Sequence, residues 1–159
     1  MDIIQINYED IKKSEWTEQE SANVLLIIDF VQNLMNNHNF DYVRSTFGNQ
    51  RYKQHNRGIR DGLDNLVDYV SDFAKRFPDY TYDVKHIFAD GDFVIFHSHA
   101  TVNKKHRADD TKGLNIIDTW KVDNGMIVEH WDAIQPLDFS MRSFVWLNGG
   151  KILNENGVF

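Results

Sequence analysis

Hydrophobic residues recur with a helical period in the first half of the chain and with a strand period in the second half. Apolar side chains follow an i, i+3, i+4 spacing over residues 24–35 and again over residues 63–77, which predicts two amphipathic helices. Thr17 and Glu20 have the spacing of a capping box, so the first helix is predicted to begin at Thr17, and Pro78 is expected to end the second. Between these helices the pattern predicts a short helix and an extended segment, at residues 40–47 and 50–56.

The second half of the chain has the pattern of an antiparallel meander. Apolar and polar side chains alternate over four segments, at residues 81–89, 92–101, 114–122 and 126–134. The pairs Asp90-Gly91 and Asn124-Gly125 indicate tight turns between strands, because these residues accept the positive φ that such turns require. Helices followed by a meander predict an α+β fold, in which N-terminal helices pack on one face of a curved, mostly antiparallel sheet of four to six strands.

Length and composition fit one globular domain and exclude several classes of protein. We expect a single domain over residues 1–159, with its core at 17–136 and a C-terminal arm at 137–159 that packs on the body or on a second subunit. The net charge of −7 argues against nucleic-acid and anionic-membrane binding, and the lack of cysteine excludes thiolate chemistry and disulfides. The sequence has neither the pattern of a secretory signal nor an apolar run that could span a bilayer, so a cytoplasmic protein is expected.

The predicted hairpin over residues 114–134 carries the side chains best suited to chemistry. Asp118 and Trp120 share one face of its first strand, and His130 and Asp132 share one face of its second strand. Removal of a proton next to a carbonyl needs a base near neutral pKa and a group that stabilises the enolate. Burial raises the pKa of an aspartate, and a neighbouring carboxylate raises it further, so two facing aspartates would titrate as a coupled pair. The alternative is that each buried aspartate is a structural acceptor for backbone or side-chain donors.

Two histidines on another predicted strand offer a second candidate site. His97 and His99 lie two residues apart on one strand face, which is a spacing that metal ligands use. Together with His130 they would make a three-histidine site, although a pocket wall or an internal hydrogen-bonded pair is the preferred interpretation. The chain has no Gly-rich phosphate loop, dinucleotide fingerprint or nucleophile elbow. We therefore expect neither a cofactor nor a metal.

Several local motifs, in this order along the chain, resemble those of one family. They are Tyr52-Lys53-Gln54-His55-Asn56, Asp61-Gly62, Ala89-Asp90-Gly91-Asp92, His97-Ser98-His99, and Asp118 followed by Glu129-His130-Trp131-Asp132 and Gln135. The family is the SnoaL-like polyketide cyclases of the nuclear-transport-factor-2-like and ketosteroid-isomerase-like superfamily, and the resemblance covers residues 17–136. It implies a cone-shaped α+β barrel whose open end holds a small apolar ligand, and a homodimer formed through the outer face of the sheet.

The resemblance also implies roles for individual residues. Asp132 falls at the position of the family's catalytic carboxylate, His130 matches a pocket histidine, and Gln54 matches an amide near the substrate. Asp118 stands where those cyclases carry a histidine, and Arg57 replaces a proline common in close relatives, so the substrate and reaction need not be the same. The expected catalytic residues are thus Asp132, His130 and Asp118, and the expected substrate-binding residues are Tyr52, Gln54, His55, His97, His99, Trp120 and Gln135.

Three functions fit these observations. The first is a cofactor-independent enzyme that performs an aldol-type cyclisation or an isomerisation on a small hydrophobic ketone, with Asp132 as base and with His130, Gln54 and Tyr52 as donors. The second is a module that binds a small hydrophobic molecule without chemistry, since one fold hosts both activities. The third is an epoxide-type hydrolase in which the two aspartates activate water.

Overall fold

The computed structural model describes residues 3–48, 51–148 and 152–158. Residue 50 of the predicted extended segment and residues 149–151 and 159 of the predicted arm lie outside the described residues. Within those ranges the elements are α1 (Tyr8–Ile11), α2 (Glu18–Val31), a π-helical segment (Gln32–Asn36), α3 (Phe40–Phe47), β1 (Lys53–Gln54), α4 (Leu63–Arg76), β2 (Thr81–Asp90), β3 (Phe93–Thr101), a 3-10 turn (Lys104–His106), β4 (Leu114–Asp123), β5 (Met126–Pro136) and α5 (Phe139–Asn148).

Helix α2 begins where the capping box predicts. The Thr17 hydroxyl accepts a hydrogen bond from the Glu20 backbone N–H, and the Glu20 carboxylate accepts one from the Thr17 N–H, at 3.2 and 2.8 Å. The second oxygen of the same carboxylate accepts from the Gly91 N–H at 2.9 Å, which ties the helix start to the β2–β3 turn. The capping residues therefore fix both the helix boundary and its position over the sheet.

The predicted helical stripe continues past Val31 as a π-helical segment rather than as α-helix. Asn36, at the end of this segment, is buried beside strand β2. Its side-chain oxygen accepts from the Tyr82 N–H at 2.8 Å, and its amide nitrogen donates to the Tyr82 carbonyl at 3.0 Å. Because both the oxygen and the nitrogen of this buried amide are hydrogen-bonded to the Tyr82 backbone, Asn36 fixes the helical layer against the sheet.

The described strands form one open sheet in the order β1-β5-β4-β3-β2. The predicted meander is confirmed, because β2 to β5 pair antiparallel with their chain neighbours. The short strand β1 adds the single parallel pair at the edge beside β5. The α+β fold predicted from the sequence is therefore confirmed, with a mostly antiparallel sheet of five strands that is not closed.

A β-bulge in the last hairpin decides which face of the sheet its polar residues occupy. Next to the turn, Asp123 pairs with Met126 and Val122 pairs with Ile127, but Lys121 pairs with Glu129, so Val128 is an extra residue. Beyond this bulge the cross-strand pairs include Trp120 with His130 and Asp118 with Asp132. Without the extra residue, His130 and Asp132 would lie on the opposite face, because a shift of one residue exchanges the faces of a strand.

The core lies between the helices and one face of the sheet, which we call the inner face and which carries Asp118 and Trp120. The indole of Trp120 is 1% exposed and makes edge contacts with Phe30 of α2 and Phe96 of β3. Helix α4 presents its predicted stripe to this core, and the buried members are Leu63, Leu66, Val67, Val70, Phe73 and Ala74. Full burial of large side chains of this kind contributes roughly 1.5–3 kcal/mol each.

Residues 152–158, which we call the C-terminal strap, pack along the loop between β1 and α4. The Leu153 N–H donates to the Arg57 carbonyl at 2.8 Å. The amide nitrogen of Asn154, a buried residue, donates to the carbonyls of Asn56 and Ile59 at 2.9 and 2.7 Å. The strap is therefore held by buried hydrogen bonds rather than by apolar contact alone. No helix in the described ranges combines the length and hydropathy needed to cross a bilayer.

Candidate functional site

A cavity of about 710 Å³ lies between the inner face of the sheet, helices α4 and α5, and the C-terminal strap. Its walls are mainly aromatic and aliphatic, and the aromatic members are Tyr69, Phe73, Tyr80, Tyr82 and Phe144. Burial raises the pKa of the Tyr80 and Tyr82 hydroxyls, so both remain neutral donors near pH 7. A volume of this size and an apolar lining are typical of sites for small organic ligands.

Three titratable side chains from the last hairpin form the polar end of this cavity. Asp118 lies on β4, and His130 and Asp132 lie on β5, on strand faces that the Val128 bulge brings together. Each of the three offers an atom that lies within 4.8 Å of the other two. The structure therefore brings the three predicted catalytic residues into one group.

The hydrogen bonds of Gln54 determine which nitrogen of His130 carries a proton. Gln54 Oε1 accepts from the Asn56 backbone N–H at 3.0 Å, so this atom must be the amide oxygen. His130 Nδ1 lies 2.9 Å from the same oxygen and must therefore donate to it. His130 Nε2 is left to face Asp118 Oδ1 at 3.0 Å.

Asp118 is buried, and its environment favours the protonated carboxyl. Loss of solvent raises the pKa of Asp118 above its usual value, the nearby charge of Asp132 raises it further, and the hydrogen bond with His130 opposes the shift in part. Asp118 Oδ2 is buried and has no hydrogen-bond partner among the described residues. Asp118 and His130 Nε2 consequently share one proton next to the cavity.

Asp132 is the more accessible carboxylate of the group. Asn56 Nδ2 donates to Asp132 Oδ2 at 2.5 Å, and Asn56 Oδ1 accepts from the Gly58 N–H at 3.0 Å, which fixes the orientation of the amide. The second oxygen of Asp132 has no hydrogen bond to another described residue. One oxygen of Asp132 is thus held by the protein while the other is available to a ligand.

Three expected substrate-binding residues lie behind His130 instead of in the cavity wall. Tyr52, Gln54 and Trp120 are almost completely buried and are absent from the cavity lining. The rings of Tyr52 and Trp120 stack on the two sides of His130, with centroids 6.3 and 5.2 Å away. Trp120 lies directly opposite His130 in the sheet and is covered by α2. The two rings therefore hold the imidazole of His130 in place.

The other expected substrate-binding residues lie on the outer face of the sheet. His97 and His99 alternate with Phe96 and Ser98 along β3, and only the latter pair shares the inner face with Asp118. His97 Nε2 lies 2.7 Å from Asn115 Oδ1, and His99 Nε2 lies 2.6 Å from the Lys112 carbonyl oxygen. The alternative of a three-histidine site with His130 is wrong, because the sheet separates these side chains.

His55 and Gln135 also lie away from the cavity wall. His55 Nε2 contacts Glu129 Oε1 at 2.8 Å, and the imidazole stacks on Trp131 with centroids 4.5 Å apart. Gln135 Oε1 accepts from Asn115 Nδ2 at 3.1 Å on the outer face. The alternation of faces along β5 places Trp131 and Gln135 opposite to Asp132.

Sequence reasoning did not identify several residues that build the cavity. Asn56 belongs to the motif Tyr52-Lys53-Gln54-His55-Asn56, but its contact with Asp132 depends on a loop conformation that no periodicity indicates. Tyr69 lies outside the buried stripe of α4, and Ile152 and Leu153 come from a segment with no strong pattern. The sequence could have indicated Tyr69, Ile152 and Leu153 only as apolar residues that are not needed to fill the core.

The Asp118, His130 and Asp132 group could also hold a divalent cation. One imidazole and two carboxylates are a ligand set that such ions use, and the bond from His130 to Gln54 resembles the outer-shell contacts of metal-binding histidines. A cation would need the lone pair of His130 Nε2, which the shared proton with Asp118 occupies. Proton sharing and metal binding are therefore alternative uses of the same atoms.

The open α+β sheet with a cavity beneath its helices is a nuclear-transport-factor-2-like fold. The family model described as a SnoaL-like domain matches residues 27–130, which is more than half of the chain. The chain belongs to the SnoaL-like family. No curated protein matches the chain in sequence.

Solved structures with the same fold come from several bacteria. A proposed polyketide cyclase from Bacillus cereus ATCC 10987 is 18% identical with a TM-score of 0.64, and the match covers 87% of this chain and 88% of that one. A proposed SnoaL-like polyketide cyclase from Jannaschia sp. CCS1 is 12% identical with a TM-score of 0.62, covering 87% and 99%. AclR, a proposed hydroxylase from Streptomyces galilaeus, is 18% identical with a TM-score of 0.58, covering 82% of each chain. Identities this low establish a common fold and leave the reaction open.

Proposed function

We propose that this protein is a cofactor-independent enzyme that performs acid–base chemistry on a small hydrophobic ketone, as an aldol-type cyclisation or an isomerisation. The observation that carries the proposal is the pairing of an accessible carboxylate with a buried carboxyl–imidazole pair at one end of an apolar cavity. Such an arrangement supplies a base and a proton donor to the same bound molecule. Membership of the SnoaL-like family supports the proposal without fixing the substrate.

Asp132 is the base in this proposal. Its Oδ1 takes the proton from the carbon next to the ketone, the C–H bond breaks, and the electron pair moves into the enolate. Asn56 holds Oδ2, so the carboxylate presents one oxygen in a defined orientation. General-base catalysis by a positioned carboxylate contributes about 10²- to 10⁴-fold in rate.

Asp118 and His130 stabilise the enolate oxygen. The hydrogen bond between Asp118 Oδ1 and His130 Nε2 lies next to the cavity, and burial raises the pKa of Asp118, which favours a proton at this pair. A donor in an enclosed apolar site stabilises developing charge more strongly than a donor in water. In an isomerisation Asp132 then returns its proton to a different carbon. In a cyclisation the enolate carbon attacks a second carbonyl, a C–C bond forms, and the new alkoxide takes up the proton that Asp132 holds.

A binding module without chemistry is the second candidate. The same polar group can serve as an internal hydrogen-bond network, since Asn56 and Gln54 connect Asp132 and His130. In that case a ligand would fill the aromatic cavity without exchanging protons. The epoxide-type hydrolase remains a third candidate because Asp118 and Asp132 lie directly opposite each other.

Proton exchange into bound ketones separates these candidates. Purified protein is incubated in D₂O with a panel of cyclic enolisable ketones, and NMR records deuterium at the α-carbon together with ligand-induced shifts. We expect exchange to be lost in Asp132→Asn. It should be kept in Asp41→Asn, a control at an exposed residue of α3. Binding without exchange would favour the binding module, and incorporation of labelled oxygen from water into an epoxide product would favour the hydrolase.

We also propose that the protein forms a homodimer through the outer face of the sheet. Phe88, Phe93 and Ile117 lie on this face and are 55%, 39% and 36% exposed. A group of exposed apolar residues on one face is typical of an interaction surface. Light scattering should give twice the monomer mass for the wild type and the monomer mass for Ile117→Asp, whereas a monomeric wild type would contradict the proposal.

A further inference from the structure

We infer that Arg57 selects ligands that carry a carboxylate in addition to the ketone, an inference that rests on the proposed function and narrows its substrate class. Among the described residues that line the cavity, Arg57 alone has a permanently positive side chain, and it is exposed. Its guanidinium makes no hydrogen bond or ion pair with another described residue. By contrast, the guanidinium of Arg44 pairs with Asp64 and Asp68 at 3.0 and 2.6 Å.

The backbone around Arg57 is held while its side chain is free. Next to it, the Asn56 N–H donates to Gln54 Oε1 and the Gly58 N–H donates to Asn56 Oδ1, each at 3.0 Å. The Arg57 carbonyl itself accepts from the Leu153 N–H of the C-terminal strap at 2.8 Å. The position from which the guanidinium extends is therefore fixed before any ligand arrives, which lowers the entropic cost of binding.

Arg57 is also close in the chain to the proposed base. Its neighbour Asn56 donates directly to Asp132 Oδ2. Arg57 and Asp132 both line the cavity, so a ligand whose ketone is placed at Asp132 can extend toward Arg57. A guanidinium binds a carboxylate through two parallel N–H···O bonds, a geometry that fixes the orientation of the ligand as well as adding affinity.

The charges of the cavity require such a residue if the ligand is an anion. Asp132 contributes a negative charge and the whole chain has a net charge of −7, so the field of the protein opposes anionic ligands. Burial raises the pKa of Asp118, which reduces the negative charge that this carboxyl adds to the cavity at a given pH. Among the described lining residues, Arg57 supplies the permanent charge that attracts an anion. The inferred substrate class is a ketone with an aromatic or alicyclic body and a carboxylate that reaches Arg57.

Matched pairs of ligands test the inference. Calorimetry measures the affinity of three oxo-substituted bicyclic carboxylic acids of different ring size, each beside its primary carboxamide, for wild type, Arg57→Gln and Arg57→Lys. Arg60→Gln is the control, because Arg60 carries the same charge in the same loop and is exposed like Arg57, but does not line the cavity. We expect wild type and Arg60→Gln to favour at least one acid over its amide by about 10-fold or more, since hydrogen bonds between charged groups are strong.

In Arg57→Gln the preference should fall to roughly 2-fold or less, and Arg57→Lys should keep part of it, because a point charge lacks the bidentate geometry. The inference would be overturned by equal affinity for acids and amides in the wild type, or by a preference that survives in Arg57→Gln. It would also be overturned if no acid binds at millimolar concentration. Deuterium exchange recorded on the same samples separates it from the proposed function. Exchange without acid preference leaves the proposed function standing and overturns the inference. Acid preference without exchange contradicts the proposed enzyme and leaves Arg57 as a residue that selects carboxylate ligands for binding alone.

Discussion

The two faces of the sheet carry histidines that look equivalent in the sequence but have different surroundings. On the inner face, both ring nitrogens of His130 are hydrogen-bonded to buried side chains, Gln54 and Asp118. On the outer face, His97 contacts His86 and Asn115, and this network is partly open to solvent. The difference shows that a cavity and a buried partner with a raised pKa, rather than the imidazole itself, define the candidate site.

The largest expected effect comes from removing the bulge that sorts these residues between faces. Deletion of Val128 should either turn His130 and Asp132 to the outer face or strain the hairpin, because a slip of one residue reverses every side chain beyond it. We expect a loss of about 4 kcal/mol or more in the free energy of unfolding, or failure to fold. Val128→Ala keeps the residue count and should cost only about 1 kcal/mol in urea unfolding. A deletion variant as stable as Val128→Ala would show that the bulge does not set the register.

Replacing each histidine by alanine tests the comparison directly. His130→Ala leaves the buried carboxyl of Asp118 without its partner, so we expect a loss of about 3 kcal/mol or more in unfolding free energy and a strong loss of ketone exchange. His97→Ala removes a partly exposed side chain and should change stability by about 0.5 kcal/mol or less, with exchange unaffected. Similar effects from the two variants would contradict the distinction between the faces.

Replacing Gln54 and Gln135 by alanine compares the two faces again, with a smaller expected loss of stability. Gln54→Ala removes the acceptor of both the His130 Nδ1–H and the Asn56 N–H, which should cost about 1–3 kcal/mol because buried donors lose their partner. Exchange should also fall, since the imidazole is no longer held in one tautomer. Gln135→Ala removes an exposed contact to Asn115, and its unfolding curve should overlay that of the wild type.

The smallest expected effect is a pH dependence of stability. Because burial raises the folded-state pKa of Asp118 above 3.8, the folded protein holds this proton more tightly than the unfolded chain. The resulting stabilisation is complete below pH 3.8 and is lost as the pH rises through the raised value. Asp118→Asn cannot ionise, so its unfolding free energy should improve relative to wild type between pH 3.8 and neutrality. A difference that stays constant with pH would argue against a raised pKa.

Much of the fold follows from periodicity and turn chemistry. The capping box at Thr17 places the start of α2, and the stripe from Leu63 to Ala74 gives the buried face of α4. The Asn124-Gly125 turn has positive φ at both residues, as its sequence predicts, and it joins the expected strands. These features are local, so a short window of sequence contains the forces that produce them.

The site could be predicted only in part, because it depends on interactions that no short window contains. Strand alternation predicts that His130 and Asp132 share a face, but the bulge at Val128 decides which face that is. Likewise, the contact between Asn56 and Asp132 joins residues that are 76 positions apart. His97 and His99 share a strand face at a spacing that metal ligands use, yet spacing cannot distinguish the inner face from the outer face.

The central claim is that Asp132 removes a proton from a bound ketone while Asp118 supports the enolate. The most direct measurement compares α-deuterium exchange of one bound ketone in Asp132→Asn and Asp118→Asn, with ligand affinity recorded for each variant. We predict that Asp132→Asn keeps its affinity and loses exchange by about 10²-fold or more, whereas Asp118→Asn exchanges more slowly than wild type but measurably. Exchange that persists in Asp132→Asn and disappears in Asp118→Asn would contradict the claim.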